Sequence, residues 1–169
     1  GTTTNRSYFW TGKTHGEDGE KAKVRNGELT YTKEGSWRTF PELLEENNVS
    51  WKVYQNELSI STELQGEAES LLANFTDNNL EWFSQFGVRF HPEHYLFLQK
   101  RAKELPSEIS KLKVNIASSP ANVSALQKEI KEKENSLAYL DVYLKKWNAE
   151  EFEKLSEKSK NLHKKAFQT

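Results

Sequence analysis

Between Leu98 and Trp147 the apolar residues fall into two runs with a fixed step. Leu98, Ala102, Leu105, Ile109, Leu112 and Ile116 advance by four and three residues in turn. This is the a/d spacing of a helix that lays one narrow face against another helix. "SSPAN" (Ser118–Asn122) interrupts the pattern, with Ser119 able to cap and Pro120 suited to a first helical position. A second run follows through Leu126, Ile130, Leu137, Leu140, Leu144 and Trp147, and Lys133 stands where another apolar residue would fall. Two such helices joined by a short break predict an antiparallel helical hairpin. Pro106 removes a backbone donor inside the first arm and is expected to kink it. Asn148 and Glu151 have capping-box spacing ahead of a last helix carrying Phe152, Leu155 and Leu162.

The charges fit this reading. Residues 1–98 hold 9 Lys/Arg against 15 Asp/Glu, and residues 99–169 hold 15 against 10. The lysines of the second half alternate with glutamates (Lys128, Glu129, Lys131, Glu132, Lys133, Glu134), as on a solvated helix surface. That alternation argues against a nucleic-acid partner, which would favour an uninterrupted basic patch. Mean hydropathy is −0.86, and no apolar run is long enough to predict a transmembrane segment. The chain has no cysteine, which excludes disulfides, thiolate catalysis and cysteine-ligated zinc.

The first half reads differently. Ser7–Trp10 and Ser50–Gln55 ("SWKVYQ") crowd β-branched and aromatic residues into short windows and predict strands. Between them lies a glycine-punctuated loop with a turn pair at Asn26-Gly27. A helix starting near Phe40-Pro41 follows, and its apolar face is Phe40, Leu43 and Leu44. Further helices are expected over Thr62–Phe75 and in "DNNLEWFSQF" (Asp77–Phe86). The fold class expected is α+β, mainly α: short strands and helices of an α/β hydrolytic domain over residues 1–91. Over residues 92–169 a coiled-coil-like hairpin insertion and a C-terminal helix follow.

The residues offer few sites by pattern alone. His91 and His94 flank Pro92-Glu93, where a helix start is the simpler reading than a metal site. His15 has no partner at an obvious spacing, and His163 reads as a cation in a last helical turn. Glu17, Asp18 and Glu20 cluster without EF-hand spacing. Trp10, Trp37, Trp51, Trp82 and Tyr54 read as core in preference to an aromatic cage.

Three blocks carry more information: "TNRSYFWTG" (Thr4–Gly12), "WRTFPELLEENNVSWKVYQ" (Trp37–Gln55) and "DNNLEWFSQF" (Asp77–Phe86). In this order they resemble the bacterial phosphoesterase family of phospholipases C and acid phosphatases, which have an alkaline-phosphatase-like α/β fold. The resemblance implies that "SWKVYQ" is an interior strand of a parallel sheet. It implies a nucleophilic Ser or Thr shortly before the Asn-Arg pair, which the T-x-P-N-R pattern places at Thr2. It also implies a substrate-binding role for Asn5. Thr4 stands where many relatives have Pro, so a register with Thr3 as the nucleophile stays open. The family's metal- or base-bearing motifs are not in this sequence. The chain is therefore expected to be a piece of a longer enzyme, without cofactor and inactive by itself. The parent, in which a divalent metal would be possible, is expected to be periplasmic or secreted and to cleave phospholipids or small organophosphates.

Two other readings compete with this one. The hairpin Leu98–Trp147 could be a non-enzymatic interaction module that docks a partner helix or self-associates through its seam. Alternatively, Lys158, Lys160, Lys164 and Lys165 could form an arm that binds anionic lipid.

Overall fold

The computed structural model describes residues 2–17, 19–55, 58–60, 78–118 and 123–167. Among them are six helices and no strand. The helices are α1 (Thr2–Thr11), α2 (Phe40–Glu46), α3 (Pro92–Ser118), α4 (Val123–Lys146), α5 (Ala149–Glu153) and α6 (Glu157–Ala166). Three 3-10 turns lie at Asn79–Trp82, Ser84–Phe86 and Val88–Phe90.

Helices α3 and α4 form the hairpin that the heptad spacing predicts. Their cross-contacts run in reverse order: His94 meets Tyr143, Glu108 meets Lys133 and Lys113 meets Glu134, so the pair is antiparallel. Leu105 and Ile109 of α3 are buried against Ile130, Leu140 and Tyr143 of α4. The remaining seam residues, Leu112 among them, are half-buried, as expected where two helices alone cover each other. Pro106 lies inside a helix assigned without a break from Pro92 to Ser118. The expected caps Ser119 and Pro120 and the helix over Thr62–Phe75 lie outside the described residues.

The second core belongs to the rest of the chain. Leu29, Trp37, Leu58, Ile60, Leu80, Phe83, Phe86 and Val88 pack with Leu162, Ala166 and Phe167 of α6 and the segment after it. The consecutive 3-10 turns bring Leu80, Phe83 and Phe86 inward together, and all three are fully buried. Gly87 joins two of these turns at φ +58°, a left-handed conformation that glycine adopts without penalty. Gly35 is required for a different reason. It bridges to Phe83 through backbone bonds to Trp82 and Ser84, and a Cβ there would stand 2.9 Å from the rings of Phe83 and Trp37.

Both strand expectations are corrected. Ser7–Trp10 lies within α1, where Ser7 faces inward and the Thr11 hydroxyl donates to its carbonyl at 2.8 Å. Ser50–Gln55 is not a strand either; its Val53 N–H donates to the Lys165 carbonyl at the end of α6. A strand needs a ladder partner, and no strand is present among the described residues to provide one. Helix α1 instead satisfies its backbone groups within itself. The "DNNLEWFSQF" block forms 3-10 turns in place of the expected α-helix. The last helix is divided at Lys154–Ser156, with Asn148 capping α5 by accepting from the Glu151 N–H at 2.9 Å. The Glu151 carboxylate turns outward to Lys154, so half of the expected capping box forms.

Candidate functional site

Thr2 and Asn5 both lie on α1, and the structure separates them. Thr2 is the exposed first residue of the helix. Asn5 is exposed one turn on and lines an open groove of about 990 Å³ between α1 and α2. Thr2 does not line that groove. The apolar wall is Tyr8 and Phe9 of α1 with Phe40 and Leu43 of α2, all exposed. The polar lining consists of the threonines 4, 11, 14 and 39, the Asn5 amide, and the cations Lys13 and Arg38, with no carboxylate.

Local bonds fix this arrangement. The Thr3 N–H donates to Asn26 Oδ1 at 3.1 Å, and the Thr3 carbonyl accepts from the buried Asn79 Nδ2 at 2.9 Å. Thr39 caps α2 in a capping box with Glu42, and Pro41 occupies the first turn, as the sequence predicts. Arg38 is held against Glu46. The groove thus presents hydroxyls, an amide and two cations beside an aromatic surface. It suits an anion attached to an apolar group. Of this lining, the sequence named only Asn5 as a site residue. The contributions of Tyr8, Lys13, Arg38 and Phe40 depend on two blocks folding side by side.

The histidines take other roles. His163 is buried, not a solvated cation. Its Nδ1 donates to the Phe86 carbonyl at 2.9 Å, and burial lowers its pKa. His91 is buried with Nδ1 unpartnered, and burial with the neighbouring His163 and His94 lowers its pKa to about 4. The His94 Nε2 faces the Tyr143 hydroxyl at 3.4 Å. Among the described residues no group of three or more His, Asp or Glu side chains is placed to hold a metal ion. Glu20 bonds the Gly16 N–H and Lys23, and Asp18 lies outside the described residues. Trp37 is core, and Trp10, Trp51 and Trp82 pack against it, whereas Tyr54 is exposed.

The basic arm is largely occupied. Lys158 pairs with Glu46, Lys160 with Glu153 and Glu157, and Lys165 with Glu45. No helix among the described residues is long and apolar enough to cross a membrane.

Residues 1–159 match the phosphoesterase family, and the chain belongs to it. Over 93 residues, half of the chain, it is 37% identical to the non-hemolytic phospholipase C of Burkholderia pseudomallei strain K96243. That match spans 12% of the relative's length. No solved structure shows a significant match.

Proposed function

We propose that this chain is the nucleophile-bearing part of a phosphate-ester hydrolase acting on phospholipids or small organophosphates outside the cytoplasm. The family match over residues 1–159 carries this reading. The groove beside Asn5 supports it, because Tyr8, Phe9, Phe40 and Leu43 offer an apolar surface to the organic part of an ester and Lys13 and Arg38 add positive charge beside it. In the whole protein, Thr2 Oγ, at the start of α1 and outside the groove lining, attacks the phosphorus of an ester whose apolar part lies in the groove, and the ester oxygen leaves as an alcohol. Water then cleaves the phosphothreonine and returns phosphate or a phosphomonoester. Attack requires a group that takes the threonine proton. The groove is lined by neither carboxylate nor imidazole, so the isolated chain is proposed to be inactive.

The test is to mix the intact protein with p-nitrophenylphosphorylcholine, quench it in acid and map its peptides by mass spectrometry. A phosphocholine group on the peptide bearing Thr2, with p-nitrophenol released, is the expected result. Turnover with phosphocholine trapped on another residue moves the nucleophile elsewhere, and absence of any turnover removes the hydrolase reading.

A further inference from the structure

A second cavity, of about 440 Å³, opens where the hairpin meets the body. It is bounded by the Val88–Phe90 turn, the start of α3, the residue after α4, and α5 and α6. Pockets of ~300–1,000 Å³ with mostly apolar walls and a few polar groups are the usual form of small-molecule sites.

Its walls are aromatic and set at angles to one another. Phe90 meets Trp147 edge-on at 4.8 Å and Phe152 at 5.5 Å, and His163 lies 5.0 Å from Phe152 and 5.2 Å from Phe167. Such a frame presents both faces and edges to an inserted flat ring. Two imidazoles supply the polar part of the lining. His91 is 7% exposed and lines the cavity; its Nδ1 is sealed from solvent without a partner, so Nε2 is the ring nitrogen left to meet a ligand. His163, also 7% exposed, uses Nδ1 as a donor to the Phe86 carbonyl, so in the neutral ring Nε2 carries the lone pair.

The chemistry of these groups narrows the ligand. A hydroxyl both donates and accepts, so it can partner a neutral imidazole in either tautomer. Lys164 also lines the cavity, which disfavours a quaternary ammonium despite the aromatic walls. We propose that this cavity is a binding site for a small aromatic alcohol of the phenol class, its ring held by Phe90, Trp147 and Phe152 and its hydroxyl bonded by the His91–His163 pair. The site shares no lining residue with the groove between α1 and α2, and stands or falls independently of the hydrolase reading.

The experiment titrates the protein with p-cresol, toluene and 4-methylcyclohexanol while following the histidine ring nitrogens by long-range proton–nitrogen correlation. Saturable p-cresol binding that moves the His91 and His163 resonances is expected, with the other two probes at least tenfold weaker. His91→Phe, which keeps a ring but removes the nitrogens, should bring p-cresol down to the toluene level. Trp147→Leu, at a half-buried wall, should weaken p-cresol by a similar factor, whereas Tyr8→Ala in the other groove should leave it unchanged. Equal affinity for p-cresol and toluene, unmoved histidine resonances, or no saturable binding by folded protein would overturn the site. If His91→Phe fails to fold, Trp147→Leu decides: unchanged p-cresol affinity in that variant overturns it.

Discussion

Lys133 of α4 places its Nζ 2.7 Å from Oε2 of Glu108 on α3. Lys133 is the residue that interrupts the apolar spacing of the second heptad run. The interruption is thus a cross-helix ion pair at a seam position, a device that sets register between two otherwise similar apolar faces. Glu108 also accepts from Arg101 at 2.9 Å on its own helix. Bonds from Arg101 first and Lys133 second hold its pKa down to about 2.

Both partners are about a quarter to a third exposed, at 24% and 32%, so the pair should contribute modestly. In a double-mutant cycle, Lys133→Ala and Glu108→Ala should show a coupling of about 0.5–1 kcal/mol that shrinks in high salt. Because the folded carboxyl titrates below its ordinary value of 4.5, the contribution is complete above pH 4.5 and is lost as pH falls toward about 2. A coupling energy of zero at low salt would show that register is set by the apolar residues alone.

Stability of the hairpin should depend on its buried centre. Ile109, 6% exposed, faces α4, and Ile109→Asp would bury an unpaired charge at a cost of about 3–5 kcal/mol. Leu112→Asp, at a half-buried seam position, should cost less. Glu129→Ala, on the polar face at 3.8 Å from Lys133, should change stability by no more than about 0.5 kcal/mol. Urea unfolding of the three variants should rank them in that order. Equal midpoints would refute the seam.

The hairpin was legible because its signal is local. A helix satisfies its own backbone, so residues spaced by three and four predict both the element and its buried face. The first half was less legible for the opposite reason. "SWKVYQ" has strand composition, but a strand exists only with a neighbour, and the structure gives Val53 the Lys165 carbonyl instead of a sheet. Ser7–Trp10 similarly became helix. The phosphoesterase motif identified the family. It could not show that Arg38 and Lys13 join Asn5 in one groove, since that depends on how α1 and α2 pack. His163 was misread because the sequence shows a basic last turn and not the Phe86 carbonyl facing it.

The body is pinned by a buried carboxylate that composition does not reveal. Glu81, 1% exposed, accepts the Tyr31 hydroxyl at 2.6 Å and the N–H groups of Ser59 at 3.1 Å and Ile60 at 3.2 Å. Burial and this carboxylate push the Tyr31 pKa upward, so the hydroxyl remains a donor. Glu81→Ala leaves these donors without their acceptor and should cost about 3–5 kcal/mol, while Tyr31→Phe should cost about 1–2 kcal/mol. Thermal unfolding checks both values. A Glu81→Ala protein as stable as Tyr31→Phe would mean that water replaces the carboxylate.

Acid should destabilise the junction between hairpin and body. His91 has an ordinary pKa of 6.5 and a folded value near 4, and His163 is shifted in the same direction. The unfolded chain therefore takes up protons first. Stability is level above pH 6.5 and falls as pH drops from there toward 4, by up to ~1.4 kcal/mol per unit for each fully shifted site. Urea midpoints at pH 7.5, 6 and 5 test this above the range where carboxylates titrate. The decline should be shallower in His91→Phe. Equal wild-type stability at pH 7.5 and 5 would mean that the histidines are solvated.

The last prediction separates the two threonines that begin α1. In a strand their side chains would point to opposite faces, but helical neighbours differ by about 100° around the axis, so alternation cannot distinguish them. Their surroundings do. Thr3 is half-buried and pinned through its backbone to Asn26 and Asn79, whereas Thr2 is exposed at the start of the helix. Thr2→Val removes an exposed hydroxyl and should change the stability of this chain by no more than about 0.5 kcal/mol. In the whole protein, if Thr2 is the nucleophile proposed above, the same substitution removes the attacking oxygen and should lower kcat by at least ~10³-fold. Thr3→Val should show the reverse: some loss of stability and less than a ~10-fold change in rate. Melting curves for this chain and single-turnover rates for the whole protein, taken on both variants, separate the cases. A Thr2→Val enzyme with near-normal turnover eliminates Thr2 as the nucleophile, and an inactive but folded Thr3→Val shifts the assignment by one residue.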